Sequence, residues 1–279
     1  MRIIDTHLHL IYPGRFSYPW LADYPTINRA WHEEDYFNLA RALGIQGALH
    51  MEVDVAERDI LPETEFVLGA HPQILGAIAS CRPENKGFDA FLDRVTTLGE
   101  VKGLRRILHQ SPNELSQSEL FAANIRKLAA RDLSFDLCVR ADQLPVGMAL
   151  IDKAPEVQFV LDHCGVPDIV GDDFQAWRGA ITEIARRPNL AAKLSGIVAY
   201  AGADWTLADL KPYAEHVIAV FGWDRVVWGS DFPVCTLFAD LKRWVEATHA
   251  LLAGASEDEK ARLLHRNAER IYKLENRSI

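Results

Sequence analysis

Three histidines and one aspartate stand where apolar runs end. Ile3-Ile4 leads into Asp5-Thr6-His7-Leu8-His9. In an extended strand residues i and i+2 point the same way, so His7 and His9 can aim two imidazoles at one point. Phe159-Val160-Leu161 runs into Asp162-His163-Cys164-Gly165, and Val226-Val227-Trp228 runs through Gly229-Ser230 into Asp231. If those ends converge, the set suits hydrolysis. Asp231 is the candidate base, taking a proton from water and returning it to a leaving oxygen. His7, His9 and His163, or a metal they hold, would polarise the carbonyl under attack.

The elements that must position these groups alternate. Short β-branched runs predict strands near residues 2–5, 46–51, 75–79, 101–105, 134–138, 157–161, 190–194 and 225–229. Helical periodicity predicts helices over 33–43 (stopped at Gly44), 116–131, 177–187, 207–221, 237–252 and 257–273. Eight strands alternating with helices predict an α/β fold, a single (β/α)8 TIM barrel with an extra C-terminal helix spanning 1–279. The rival, an open doubly wound sheet, would favour a Gly-rich first turn, and His-Leu-His stands there instead. In a closed barrel strands one and eight are neighbours and strand six is two away, so all three ends rim one mouth.

The bulk composition narrows the partners. The chain has 279 residues and a formal net charge of −9, which argues against nucleic acid or an anionic membrane surface and leaves a small molecule as the expected partner. An isologous homodimer is the base-rate expectation for assembly. Cys81, Cys138, Cys164 and Cys235 are widely spaced with no C-x-x-C, which reads as reduced thiols in a cytoplasmic protein. Cys164 beside His163 is the one alternative nucleophile. No signal peptide or membrane-length apolar run is visible.

Further residues fall near the expected mouth. The loop 11–32 carries Tyr12, Phe16, Tyr18, Trp20, Tyr24 and Trp31, and the loop 196–206 carries Tyr200 and Trp205; these either pack the rim or touch substrate, with Tyr18 and Trp20 the candidates for contact. Arg105 and Arg106 are adjacent, so one faces inward, suited to a carboxylate or a polarised hydroxyl, or to an ion pair within the barrel. Glu52 closes strand two and would join a metal shell, hold an imidazole or pair with an arginine. Lys193 and Ser195 share a face and would bind substrate or hold Asp231. His109 lies on a rim loop; His50 and His71 read as incidental. Asp5 and Asp162 are near enough to histidines to fix tautomers, although strand alternation points them to the other face.

Asp5-Thr6-His7-Leu8-His9, Val101-Lys102-Gly103-Leu104-Arg105-Arg106, Leu161-Asp162-His163-Cys164-Gly165, Lys193-Leu194-Ser195-Gly196 and Trp228-Gly229-Ser230-Asp231-Phe232-Pro233 together resemble the amidohydrolase superfamily, in its amidohydrolase 2 group. The similarity is greatest to the lactonase branch, which includes 2-pyrone-4,6-dicarboxylate lactonase and the L-fucono- and L-rhamnono-lactonases. The resemblance implies a hydrolase that opens a lactone of a sugar acid or a related carboxylated ring. It leaves open a metal-dependent decarboxylase, another C–O or C–N hydrolase of a small acid, or a lactone isomerase. Binuclear members add a histidine after strand five and a bridging Lys or Glu after strand four; Leu137-Cys138-Val139-Arg140 and Leu104-Arg105-Arg106-Ile107 supply neither, so a two-metal centre is not expected. A single divalent ion, zinc by preference, on His7, His9 and Asp231 with His163 as fourth ligand or support is one reading. Catalysis with no metal is the other.

Overall fold

The computed structural model describes residues 1–171 and 173–274. Eight strands pair in parallel in chain order: β1 (Ile3–Leu8), β2 (Ile45–Met51), β3 (Ile74–Ser80), β4 (Val101–Ile107), β5 (Ser134–Cys138), β6 (Phe159–Leu161), β7 (Leu190–Leu194) and β8 (Val226–Trp228). The ring closes between β1 and the chain after β8. Leu8 and Phe232 form a parallel bridge there, the His9 N–H donates to the Phe232 carbonyl at 2.8 Å, and the Asp231 N–H donates to the His7 carbonyl at 2.9 Å. The fold is the (β/α)8 barrel with an added C-terminal helix that the alternating pattern predicts. Closure therefore ties His7, His9 and Asp231 to each other through their own backbones.

Helices connect the strands, and two depart from expectation. The 116–131 segment divides into Asn113–Gln117 and Glu119–Arg126, because the Ser118 hydroxyl accepts the Phe121 N–H and starts a new helix. The helix expected from 237 begins at Leu241, where the Asp240 carboxylate caps the Arg243 N–H. Val234–Leu237 instead form a 3-10 turn, which leaves that stretch free to line the barrel mouth.

The barrel interior has two chemical layers. Ile4, Leu49, Met51, Leu75, Ile78, Val160, Ala191 and Val227 form an apolar plug. Ala268, Ile271 and Tyr272 at the end of the C-terminal helix pack onto it. Lys102 Nζ donates to the Lys273 carbonyl, and Lys273 pairs with Asp132, which places this helix end at the strand N-termini, opposite the catalytic face. Above the plug lies a layer of buried charge, described below. Among the described residues no helix is long and apolar enough to cross a membrane.

Candidate active site

The four expected groups meet. Asp231 Oδ1 lies 3.5 Å from His9 Nε2, 3.7 Å from His7 Nε2 and 4.0 Å from His163 Nε2, and all four side chains are buried. Their protons can be assigned from their other contacts. His9 Nδ1 is 3.0 Å from the Met51 carbonyl, which can only accept, so Nδ1 carries the proton and Nε2 keeps its lone pair. His7 Nδ1 is 3.4 Å from Asp162 Oδ1. Lys193 Nζ stands 3.2 Å from the same Nδ1, but its N–H groups have Asp136, Asp162 and the Thr6 carbonyl as acceptors. His7 therefore donates through Nδ1 and also turns a lone pair toward Asp231. His163 Nδ1 is 2.9 Å from the Ser195 hydroxyl.

Local backbone geometry makes this convergence. The β1–β2 register shifts between Asp5 and Leu8. After β6 the chain turns through His163, Cys164, Gly165 and Val166, all with positive φ between 46° and 72°. Three of these are not glycine, a conformation that costs of order 1–3 kcal/mol each and clusters at functional sites. Val160 faces the plug, so Asp162 points inward by alternation, and the left-handed turn then brings His163 to the same mouth. Asp231 also has positive φ, at 57°. Gly196 clears the space: a Cβ there would sit 2.3 Å from His163 Nδ1 and 3.0 Å from Asp231 Oδ2.

Beneath the histidines lies a network that the sequence reading saw only in part. Lys193 Nζ pairs with Asp136 at 2.6 Å and Asp162 at 3.0 Å, and the Tyr272 hydroxyl donates to Asp136 at 2.9 Å. Arg105 Nε and Nη2 donate to Glu52, at 2.7 Å to Oε1 and 2.8 Å to the carbonyl, and Nη1 reaches Asp162 at 3.4 Å and His7 Nε2 at 3.3 Å. Burial works to raise the Asp162 carboxyl, but Lys193, His7 and Arg105 together hold it well below the usual carboxylate range. Burial raises Asp136 to about 6 against the pull of Lys193. Burial opposes the charge on Lys193, and its two aspartates keep it an ammonium. Burial, then Lys193, pushes His7 well below an ordinary histidine, and burial lowers His163. The imidazoles are thus kept neutral, as acceptors or metal ligands must be. Asp5 serves elsewhere: its carboxylate accepts the His7, Ser230 and Tyr36 donors and locks β1 to the β8 end.

A cavity of about 410 Å³ opens over this floor, lined by His9, Arg105, His163 and Asp231. The expected substrate contacts divide around it. Arg105 and Trp20 line the cavity. Glu52 does not; it is spent on Arg105 and on the Asp54 N–H. Lys193 has no exposed surface. Arg106 turns outward to Glu84 at 2.9 Å, and the Tyr18 hydroxyl accepts the Tyr12 N–H inside the first loop. Placement thus corrects these four from substrate contacts to structural roles. Cys164 lies off the cavity, its Sγ 3.6 Å from the Lys193 carbonyl, and burial raises its thiol to about 12, which removes it as a nucleophile. His109, Tyr200, Asp54 and Cys138 do line the cavity. Alternation along β5 would have found Asp136 and Cys138 on one inward face; no local signal marks Asp54.

His50 gives a pH prediction. It is buried with Nε2 unpartnered, and burial, helped by His9, lowers it to about 3. Above pH 6.5 it is neutral folded and unfolded, with no effect on stability. Below 6.5 the unfolded chain binds the extra proton, so the unfolding free energy should fall by roughly 1.4 kcal/mol per pH unit until about pH 3. Urea titrations of wild type and His50→Gln between pH 7 and 4 should show a shallower slope in the variant. Equal slopes would remove His50 as the cause.

The donor set fits a divalent ion. Among the described residues, His7, His9 and Asp231 form one group with ligand atoms within 4.8 Å of one another, and His7, Asp162 and His163 form another. The lone pairs of His7 and His9 face a carboxylate whose Oδ2 is buried with no hydrogen-bond partner. Acceptors aimed at an acceptor need a cation or a proton between them, and the Asp162–His7 contact is the usual support behind a metal-bound imidazole. Arg105 Nη1 competes for the His7 lone pair.

Residues 4–274 match the family model described as Amidohydrolase. The chain belongs to the amidohydrolase family. It is accordingly an enzyme, a hydrolase. This amidohydrolase is 29% identical to an uncharacterised protein, y4mH, of Sinorhizobium fredii, covering 98% of each chain. It is 28% identical to an L-fucono-1,5-lactonase of Burkholderia multivorans over 97% of its own length and 96% of the relative's. Among solved structures, an amidohydrolase of Burkholderia multivorans with bound zinc superimposes with a TM-score of 0.89 at 26% identity, covering 98% of this chain and 100% of that one.

Proposed function

We propose that this amidohydrolase opens a lactone ring by hydrolysis, with the lactones of sugar acids and related carboxylic acids as the starting substrate class. The observation that carries the reading is the convergence of three histidines on one buried carboxylate at the floor of a cavity. The lactonase name of the Burkholderia multivorans relative supports it. Asp231 takes a proton from water as the water oxygen bonds to the lactone carbonyl carbon. The ring C–O bond then breaks, and the same proton passes to the departing alkoxide, leaving a hydroxy acid. The ring of buried groups around Asp231 restricts bulk water and keeps the carboxylate oriented.

His7, His9 and Asp231 would hold one zinc ion, with His163 beside it. When bound it would supply Lewis acidity toward the carbonyl oxygen. Zinc is favoured by two imidazoles and a carboxylate, and by the zinc in the structural relative. Exhaustive chelation is expected to remove most hydrolysis of a responsive lactone, with one equivalent of zinc restoring it. Activity that persists in protein shown to be metal-free would favour the second reading, in which the Arg105 Nη1 contact to His7 holds the site together without an ion. The partner is a small molecule.

A further inference from the structure

The walls of the cavity speak to the substrate more narrowly than its floor. Trp20, Tyr24 and Ile27 from the first loop, and Val234, Leu237 and Phe238 from the turn after β8, line the cavity. Those two segments follow the strands that close the barrel, so their side chains make one apolar wall beside Asp231. Trp20 presents only its ring, because its indole N–H donates to the Val53 carbonyl at 2.8 Å. Trp20 and Tyr24 meet edge to face at 5.6 Å. Tyr24 is 40% exposed and Phe238 39%, among the few large apolar residues on the described surface that stand open to solvent. Apolar surface left open at a cavity mouth marks what it binds.

Charge narrows the class further. Among the described residues, Arg105 is the one Lys or Arg lining the cavity. It is only 3% exposed and is neutralised by Glu52 and Asp162. Lys193 is sealed below, and Arg106 is paired outside. The cavity's own carboxylates are Asp54 and Asp231. Beyond an ion held at Asp231, a second carboxylate or a sulfonate on the substrate would meet the Asp54 carboxylate and no unpaired Lys or Arg among the described lining residues. Ring hydroxyls would find Gln110, His109 and Tyr200 in the lining, but any turned toward Trp20, Leu237 or Phe238 would be desolvated without replacement partners.

We propose that the lactone this site opens is uncharged and bears an aryl or alkyl substituent that lies on the Trp20–Phe238 wall. The inference rests on the lactonase reading and replaces its starting substrate class, the sugar-acid ring, with a neutral substituted one. Hydrolysis then creates a carboxylate where the neutral substrate had none.

The test is a set of γ- and δ-lactones sharing one ring: unsubstituted, phenyl- or hexyl-substituted, carboxylate-bearing, and the polyhydroxylated sugar-acid lactone, assayed with the zinc-loaded enzyme. The substituted neutral lactone should exceed the unsubstituted ring in kcat/KM by roughly tenfold to a hundredfold, the gain expected from burying a phenyl group. The carboxylate-bearing ring should be slowest. Phe238→Ser should shrink the phenyl-over-unsubstituted ratio about tenfold. Fastest turnover of the carboxylated or sugar-acid ring overturns this inference while leaving the lactonase reading in place. No opening of any lactone by folded, zinc-loaded enzyme overturns both.

Discussion

Asp231→Asn should lower kcat on a responsive lactone by roughly 10²–10⁴-fold while leaving the barrel folded. The backbone that places residue 231 does not depend on the carboxylate. Its N–H donates to the His7 carbonyl, its carbonyl accepts the Cys235 N–H, and its left-handed φ suits asparagine as well as aspartate. The side chain is a different matter. Among the described residues, Asp231 is the carboxylate that lies within 4.0 Å of all three histidines, and an amide cannot accept a proton from water. An amide N–H can donate to the His7 and His9 lone pairs, so thermal stability should hold or rise slightly. Near-normal kcat in the variant would assign the base to another group, with Asp54, the other carboxylate lining the cavity, first in line. Metal content should be measured alongside. Loss of a bound ion with loss of rate would make Asp231 a ligand as well as a base.

Lys193→Met should unfold the protein more readily by roughly 3–5 kcal/mol, the usual cost of removing one partner of a buried ion pair, which corresponds to a fall in Tm of roughly 6–20 °C. Lys193 is fully buried between Asp136 and Asp162. Without the ammonium, two carboxylates face each other in the buried interior of the barrel, and one must take up a proton. Asp136 is the one to do so, since burial already raises it to about 6 despite the hydrogen bond from Tyr272, while Asp162 is held low and keeps Arg105 beside it. Adding Asp136→Asn to Lys193→Met should therefore recover part of the lost Tm, and a double variant no more stable than the single one would contradict this account of the network. The same change reaches the active site, because Asp162 holds His7 Nδ1. If His7 loses its orientation, kcat should fall in Lys193→Met even at temperatures where the protein stays folded.

The contrast between these two residues shows where reading the sequence stops. His7, His9, His163 and Asp231 were legible because each follows an apolar run, and a barrel brings strand ends to one rim. Arg105 was legible as one of two adjacent arginines, one facing in, although which anion it meets depends on β2 and β6. Lys193 was visible as a residue sharing a face with Ser195. That it lies below the histidines, where no substrate reaches, follows from the depth of the plug and from Tyr272, which approaches from the far end of the chain. Asp162 was expected on the face opposite His163; it lies inside by the alternation of β6, and the left-handed turn at 163–166 brings His163 to the same side, so two consecutive residues serve one site. Period-two alternation has no term for such a turn. The helix expected over 237–252 hid Leu237 and Phe238 as cavity lining, since apolar residues at a helix start look the same whether they pack on the barrel or face a ligand.

By itself the sequence determined the alternation of strands and helices, hence the barrel, and the residue types that can do its chemistry. Those are local properties: side-chain periodicity, turn chemistry and the ionisation of each group. Only the tertiary structure decided which charges are paired and which are free to meet a substrate. Pairing depends on distances between residues as far apart in the chain as Lys193 and Thr6, or Tyr272 and Asp136, and the low dielectric of the barrel interior turns those distances into fixed protonation states.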